Sequence, residues 1–112
     1  MKHYALGLAL LAATPAAAQD IGISLSNFDD VFFTSMREGM AEEARKTGAS
    51  LQTEDARLDI GRQLSQVQNF IAQGVDAIIV NPVDATSTKP MTEAAIAAGA
   101  QVCFTCWGGT HP

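Results

Sequence analysis

The sequence predicts an α/β fold, a doubly wound parallel sheet with helices on both faces. One observation is the short apolar run at residues 75–80, which shows no alternation with polar residues and is too short for a core helix. Such a run is typical of a parallel strand buried on both faces. A second observation is that Asn81 and Pro82 follow directly, and proline cannot join a strand ladder. The third is that similar strands alternate with stripes of apolar residues at helical spacing, which is typical of a parallel sheet.

The first strand and the first helix are predicted close to the amino terminus. Apolar and small residues alternate over residues 21–26, which indicates a strand, and a polar turn follows at residues 27–30. From residue 31 to about residue 47, apolar side chains recur every three or four positions, which predicts one buried helix face. They are Phe33, Met36, Met40 and Ala44. Gly48 is expected to end this helix in a left-handed conformation.

A weaker strand and a second helix come next. The strand is assigned to residues 49–53, and a charged connection follows at residues 54–57. Asp59 is placed to cap the helix at its start, and Gly74 is placed to end it. The apolar stripe expected to face the core consists of Ile60, Leu64, Val67 and Ile71.

A third helix and a fourth strand complete the pattern after residues 75–80. One of the hydroxyl-bearing residues 86–88 can cap the helix, and Pro90 is tolerated in its first turn. The expected apolar face consists of Met91, Ala94, Ala95 and Ala98. Gly99 ends the helix, and residues 102–105 are assigned to the strand. Right-handed crossovers with helices on both faces favour the strand order 2-1-3-4.

The first eighteen residues are typical of a secretory signal peptide. Lys2 precedes an apolar segment at residues 4–13, and small residues lead to Ala18. Cleavage after Ala18 fits the preference for small residues at such sites, and the apolar segment is too short to stay as a membrane anchor. The predicted domains are therefore a signal peptide at residues 1–18 and one exported lobe at residues 19–112, with no membrane insertion after cleavage.

The charge and the cysteine content exclude several classes of partner and scaffold. The chain carries 7 basic and 12 acidic residues, with a net charge of −5 at pH 7 and no basic cluster. Nucleic acid and anionic membrane surfaces are therefore not expected as partners. Cys103 and Cys106 are the only cysteines, so the chain does not resemble a disulfide-stapled scaffold.

The predicted strand order places a ligand site. In the order 2-1-3-4 the chain leaves the neighbouring first and third strands in opposite directions, and open α/β sheets bind ligands at this switch point. Two loops meet there, at residues 27–33 and 81–84. Their hydrogen-bonding groups and adjacent aromatic rings are typical of sites for a polyhydroxylated ligand such as a sugar or cyclitol. Asp55 and Asp84 are expected to be solvated loop charges.

Five residues are candidates for ligand contact, and each has an alternative role. Asp29 and Asp30 can accept hydrogen bonds from hydroxyl groups, but one of them can instead cap the helix. Phe33 shares the apolar stripe and is expected in the core, whereas Phe32 lies about 100° away and is interpreted as a stacking surface. Asn81 can contact the ligand or hold its own turn.

Four segments carry a recognisable pattern. They are Phe-Asp-Asp-Val-Phe-Phe-Thr at 28–34, Gly-Met-Ala-Glu-Glu-Ala at 39–44, Gln-Val-Gln-Asn-Phe-Ile-Ala-Gln-Gly at 66–74 and Val-Asp-Ala-Ile-Ile-Val-Asn-Pro-Val-Asp at 75–84. Together they resemble the periplasmic sugar-binding proteins of ABC importers, and most of all the members for inositol or rhizopine. The resemblance covers about residues 21–99.

The resemblance implies a function and a set of site residues. It implies a periplasmic protein of two lobes that binds a monosaccharide or cyclitol between them, has an ABC permease as partner, and is not an enzyme. No cofactor is expected. It also implies ligand contacts for Asp30, Phe32, Phe33 and Asn81. Ribose-binding members commonly have asparagine at the position of Asp30, which puts the particular ligand in question.

The family pattern ends at about Gly99. Family members are much longer, and their fourth strand ends in a polar pair that contacts ligand, whereas here the chain continues Cys-Phe-Thr-Cys-Trp at residues 103–107. We therefore expect an incomplete first lobe. The alternative to a binding function is a non-functional fragment that arises from a frameshift or a truncated gene prediction.

The pair Cys103 and Cys106 supports a rival hypothesis, a small redox or metal-binding protein. In an extended strand, residues three apart lie about 10 Å apart, which is beyond the reach of a disulfide. A phospho-receiver domain would require aspartate in place of Asn81. A hydrolase is not expected, because no serine or cysteine has a partnered base and the only histidines are His3 and His111.

Overall fold

The computed structural model describes residues 19–105, which form four strands and three α-helices in strict alternation. The strands are β1 (Asp20–Leu25), β2 (Ser50–Asp55), β3 (Ala77–Val80) and β4 (Gln101–Phe104). The helices are α1 (Val31–Thr47), α2 (Ile60–Gln73) and α3 (Thr88–Ala97), and a single 3-10 turn at Ala85–Ser87 precedes α3. None of the helices in this part of the chain is long and apolar enough to span a membrane.

The four strands form one parallel sheet in the order β2-β1-β3-β4. Ile23 on β1 is aligned with Thr53 on β2 and with Ile79 on β3, so β1 lies in the interior of the sheet. This confirms the predicted α/β class and the predicted strand order 2-1-3-4. It also places the carboxyl ends of β1 and β3 side by side.

The helix ends follow the residues predicted for them in α1 and α2. The side chain of Asp59 accepts a hydrogen bond from the Arg62 backbone N–H at 2.8 Å, which caps α2. Gly48 and Gly74 follow α1 and α2 with φ angles of 77° and 72°, in the left-handed region that favours glycine. Gly99 has the same conformation after α3, with φ 73°.

One face of the sheet packs against α2 and α3 and is tightly filled. The buried side chains there are Val67, Phe70, Ile78, Val80 and Met91. Phe70 lies directly over Gly22 of β1, and a Cβ atom at Gly22 would come within 2.4 Å of the ring. A glycine is therefore required in the middle of this strand by the close approach of the ring.

The opposite face of the sheet packs against α1 alone among the described elements. Ile23, Leu25 and Phe33 are buried there, with Met36 and Met40 packed against them. A groove of about 290 Å³ remains between α1 and the sheet, and Ile79 lines it. The prediction that β3 is buried on both faces is therefore only half correct, because Ile78 and Val80 are fully buried while Ile79 is partly exposed.

Three local predictions differ from the structure. β2 continues through Glu54 and Asp55, because Asp55 pairs with Leu25 and a backbone ladder does not depend on side-chain polarity. In α2 the buried residues are Gln63, Val67 and Phe70, while Ile60 is 44% exposed. Leu64, Val67 and Ile71 of the predicted stripe do pack in the core, so the prediction fails at Ile60 and omits Gln63 and Phe70. Ala98 is exposed rather than part of the α3 core face.

Candidate functional site

The candidate site lies at the carboxyl edge of the sheet, where the loops that follow β1 and β3 meet. The Ser26 hydroxyl donates to Asn81 Oδ1 at 2.7 Å, and the Ser26 backbone N–H donates to the same atom at 3.4 Å. The Asn81 backbone N–H donates to the Ser24 carbonyl at 2.8 Å. The two loops that the sequence analysis assigned to the switch point are therefore in direct contact.

Asp30 is the N-cap residue of α1. Its Oδ1 accepts a hydrogen bond from the Phe32 backbone N–H at 2.8 Å, and the residue is exposed. Of the two roles considered for the aspartate pair, capping belongs to Asp30. A carboxylate has two oxygens and about four acceptor positions, so capping does not consume its capacity to accept from a ligand.

Asp29 is exposed and does not cap the helix. Its backbone N–H donates to Asn27 Oδ1 at 3.0 Å, which closes a short turn and directs the loop around the end of β1. Asp29 and Asn27 line a cleft of about 370 Å³ together with Asp55, Arg57 and Leu58 from the loop after β2. The cleft extends the candidate site from the β1–β3 boundary toward β2.

Phe32 and Phe33 have the different environments that the helical spacing predicted. Phe33 is 3% exposed and belongs to the core beneath α1, whereas Phe32 is 49% exposed. Their ring centroids lie 5.4 Å apart with an interplanar angle of 72°, an edge-to-face contact. The buried ring thus supports the exposed one, which gives Phe32 a defined position at the start of α1.

Phe28, in the loop after β1, is held by a side chain of α1. The guanidinium carbon of Arg37 lies 4.0 Å from the centroid of the Phe28 ring, a stacked cation–π contact. Arg37 stands on α1 two turns after its first residue, so the contact fastens the loop to the helix. The aromatic face of Phe28 is occupied by this contact.

Asn81 is 3% exposed, and its side chain is engaged on both sides. Oδ1 accepts from Ser26, while Nδ2 donates to the Thr105 hydroxyl at 3.2 Å and to the Thr105 carbonyl at 3.4 Å. Of the alternatives considered for Asn81, the structure shows the structural role: the side chain ties β1, β3 and the end of β4 together. Contact with a ligand stays a prediction.

Sequence reasoning missed the polar residues that underlie the site. Gln63 is fully buried, and its amide contacts Ser24, Asn81 and Val83. Gln66, one turn later on α2, accepts from the Ser24 hydroxyl at 2.8 Å and donates to the Asp55 carbonyl at 2.9 Å. The available signal was the spacing of Gln63 from Val67 and Phe70, which places an amide within the buried stripe of α2.

Asp84 and Asp55 are not merely solvated charges, as the sequence analysis expected. Asp84 precedes the 3-10 turn and accepts hydrogen bonds from the Thr86 hydroxyl and the Thr86 backbone N–H, both at 2.6 Å. These two bonds, the hydroxyl bond first, lower the pKa of Asp84 below its ordinary value. Of residues 86–88, Ser87 occupies the N-cap position of α3 as one of the predicted alternatives, but its side chain does not cap the helix, and Asp84 instead caps the preceding 3-10 turn. Asp55 Oδ1 accepts from the Arg57 backbone N–H at 2.8 Å.

The loop after β2 contains two residues in a strained conformation. Arg57 and Leu58 have φ angles of 51° and 57°, and the left-handed region costs non-glycine residues about 1–2 kcal/mol each. The bond from Arg57 to Asp55 and a 2.8 Å bond from the Leu58 N–H to the Ser26 carbonyl offset this cost. The loop is thereby tied to the loop after β1, and Leu58 is left 66% exposed beside the cleft.

The cysteine pair of the rival hypothesis is described only in part. Cys103 lies on β4 and is exposed, and Cys106 lies outside the described residues, as do residues 1–18, which the sequence analysis assigned to a signal peptide. Within residues 19–105, no group of three or more His, Cys, Asp or Glu side chains could hold a metal ion. Exposure of one thiol on a strand is no evidence for redox chemistry.

This architecture, a parallel α/β lobe whose polar loops meet at a switch point, defines a ligand-binding class of domain. A family model for the periplasmic binding protein domain matches residues 21–105. A Rhizobium meliloti protein that carries the name rhizopine-binding protein is 47% identical over 107 residues, with 93% of this chain and 35% of that protein covered. The ribose import binding protein of Bacillus subtilis is 39% identical over 82 residues, with 73% and 27% covered. The chain belongs to the periplasmic binding protein family.

Solved structures agree with this assignment and with the fold. A solute-binding protein of an ABC transporter from Bacillus halodurans, with bound myo-inositol, matches 81% of this chain with a TM-score of 0.72 and 39% identity. A Caulobacter myo-inositol binding protein bound to myo-inositol matches 82% of the chain with a TM-score of 0.74 and 26% identity. The chain spans 32% of each of these two structures. Its relatives are substrate-binding transport proteins rather than enzymes.

Proposed function

We propose that this chain supplies the first-lobe wall of a sugar or cyclitol site in the substrate-binding component of an ABC importer. The observation that carries the proposal is the arrangement at the switch point, where exposed carboxylates and an exposed, supported aromatic ring share one loop. Carboxylates accept hydrogen bonds from hydroxyl groups, and an aromatic face packs on the C–H face of a sugar ring. Inositol and rhizopine are the favoured ligands, because the most similar of the relatives named above carries the name rhizopine-binding protein and both solved structures named above hold myo-inositol.

Each of the five predicted residues has a distinct proposed part. Asp29 and Asp30 accept from ligand hydroxyl groups, with Asp30 also holding the helix start. Phe32 stacks on the ligand, and Phe33 supports it from the core. Asn81 presents Nδ2, whose bonds to Thr105 at 3.2 and 3.4 Å are longer than the 2.7 Å bond at its Oδ1. The longer bonds are the ones that a ligand hydroxyl could replace.

The cellular setting follows from the same proposal. Residues 1–18 act as a signal peptide that is removed after Ala18, and the lobe works in the periplasm, where it passes ligand to an ABC permease. Mass spectrometry of protein recovered from the periplasm tests the first step. A mature chain that begins at Gln19 supports it, and an intact Met1 contradicts it.

Ligand binding is tested by calorimetry with myo-inositol and D-ribose on two proteins. One is the 112-residue chain, and the other is the same chain followed by a complete second lobe. The single lobe leaves one ligand face in water, and the loss of three or four hydrogen bonds at about 1 kcal/mol each, together with half the stacking, weakens binding by at least about a thousandfold. We expect negligible binding by the chain alone and recovery with the second lobe.

Variants of the two-lobe protein test the residue assignments. Asp30→Ala and Asn81→Ala should each weaken binding, whereas Glu38→Ala, an exposed change on the same helix as the Asp30 cap, should not. Unchanged affinity in both site variants would remove the assignment. Micromolar binding by the single lobe would overturn the two-lobe argument.

A further inference from the structure

The turn at residues 81–83 has backbone hydrogen-bonding groups that find no partner in the sheet. β3 ends at Val80, whose carbonyl accepts from the Thr105 N–H at 2.8 Å, and the Asn81 N–H reaches the Ser24 carbonyl. Beyond that point Pro82 has no N–H, so the ladder cannot continue. The carbonyl of Asn81 and the N–H of Val83 therefore need partners from outside the sheet.

The Gln63 amide supplies both partners. Its Nε2 donates to the Asn81 carbonyl at 2.8 Å, and its Oε1 accepts from the Val83 N–H at 2.9 Å. A further bond runs from Nε2 to the Ser24 hydroxyl at 3.2 Å. The Gln63 side chain thus takes the place of a neighbouring strand, because it pairs with the backbone on both sides of Pro82.

Because Gln63 is buried, its hydrogen bonds matter for the free energy of the folded chain. The side chain is fully buried in the stripe of α2, where an unsatisfied amide would be costly and an apolar residue would pack without penalty. All of its polar atoms are used at the one turn that carries Asn81. Gln63 therefore holds the backbone on both sides of Pro82, at the carbonyl of Asn81 and at the N–H of Val83.

We propose that Gln63 is a positioning residue, which sets the backbone of Asn81 and thereby the direction in which the Asn81 side chain faces the switch point. The effect of this positioning on ligand binding rests on the proposed function, since Asn81 is a proposed ligand contact. Gln63 itself lies beneath the site and is not assigned any contact with ligand.

Gln63→Glu separates positioning from general stability. A protonated glutamic acid keeps both bonds, because its O–H can donate to the Asn81 carbonyl while its C=O accepts from Val83. An ionised carboxylate loses the donor and faces a carbonyl oxygen. Burial and the bond to Asn81 favour the neutral form, so the pKa of the introduced group should lie above the ordinary value of about 4.3. The native contacts Ser24, Asn81 and Val83 do not titrate, so a pH response here reports the new carboxyl group.

The measurement is NMR of the 112-residue chain and its variants between pH 4.5 and pH 8. In Gln63→Glu, the Asn81 carbonyl and side-chain amide resonances should titrate together, while the backbone amides of Val67 and Ile78 stay fixed. In Gln63→Met, exchange of the Val83 amide proton should accelerate by about tenfold or more at every pH, since its acceptor is lost. Gln68→Glu and Gln68→Met place the same changes on the exposed side of α2 and should have neither effect.

Several outcomes would overturn the inference. One is a folded Gln63→Glu chain whose Asn81 resonances do not change with pH. Another is a Gln63→Glu chain that is unfolded even at pH 4.5, because the protonated carboxyl keeps the two bonds to the turn, to the Asn81 carbonyl and the Val83 N–H, and loses only the bond to Ser24. None of these readouts requires ligand, so failure of the two-lobe protein to bind myo-inositol or ribose would count against the proposed function and leave the positioning role intact.

Discussion

The loops after β1 and β3 meet at the same place but are held in opposite ways. The β3 loop is fixed by long-range hydrogen bonds, in which Asn81 joins Ser26, Gln63 and Thr105. Beyond Ser26, the β1 loop is held by short-range bonds, in which Asp29 and Asp30 each take part in a bond that spans two residues. The short-range bonds are exposed, whereas the Asn81 bonds to Ser26 and Gln63 are buried and its bond to Thr105 is partly buried.

The difference separates a rigid part of the site from an adjustable part. Exposed local hydrogen bonds compete with water and contribute little stability, so a loop held by them opens at low free-energy cost. Buried hydrogen bonds open only with larger parts of the structure. In the proposed site, the amide of Asn81 is therefore preorganised, whereas the carboxylates of the β1 loop can adjust to the hydroxyl pattern of the ligand. Preorganisation reduces the ordering cost of binding.

The largest effect is expected at the buried ring that anchors the β1 loop. Phe33→Ala removes a core side chain that packs with Ile23 and Leu25, and we expect a loss of about 3–5 kcal/mol in the free energy of unfolding. Phe32→Ala, the adjacent and half-exposed ring, should cost much less. Urea denaturation of the two variants and the unsubstituted chain measures both values. Equal losses for the two phenylalanines would show that the β1 loop is not anchored through Phe33.

The second prediction compares one residue from each loop. Asn81→Ala leaves the buried Ser26 group and the partly buried Thr105 group without their partner, which should cost about 1–3 kcal/mol. Asp30→Ala removes an exposed N-cap, which typically costs about 1 kcal/mol. Both are measured by the same urea titration, with Glu38→Ala as a surface control. A larger loss for Asp30 than for Asn81 would contradict the division into a buried and a local loop.

The sequence was sufficient for the fold because its signals are local and agree with one another. The apolar run of β3, the α1 stripe and the glycines after the helices each specify an element, and right-handed crossovers leave few strand orders. Leu64, Val67 and Ile71 of the predicted α2 stripe pack in the core, whereas Ile60 does not and the fully buried Gln63 was not expected there. The spacing of apolar residues passes over Gln63, because an amide does not count as an apolar position.

The sequence predicted that the loops after β1 and β3 meet, but not the hydrogen bonds that join them. Asp30 as a cap and Phe33 as a core residue follow from position on a helix. The contacts of Gln63 with Asn81 and Val83 join residues 18 and 20 positions apart, and they depend on how α2 crosses the end of β3. A periodic pattern does not predict such a contact. The same glutamine on an exposed stripe of a helix would be an ordinary surface residue.

The smallest expected effect lies at the far end of the β3 loop and extends the comparison to its exposed part. Thr86→Val removes the hydroxyl that donates to Asp84, so the pKa of Asp84 should rise toward its ordinary value while the backbone bond remains. Because the pKa is depressed in the folded state, the stability that it contributes is present above the unfolded-state pKa and is lost as pH falls through the folded value. Thr86→Val should therefore lower stability slightly at neutral pH and leave it nearly unchanged below the folded-state pKa, which reduces the acid dependence of unfolding. Carboxyl-carbon NMR titration of Asp84 checks the shift, with Thr92→Val as the control, since Thr92 donates to the Thr88 carbonyl and not to a carboxylate. An unchanged Asp84 titration in Thr86→Val would mean that the hydroxyl bond is absent in solution, and that the exposed end of this loop is held by backbone alone.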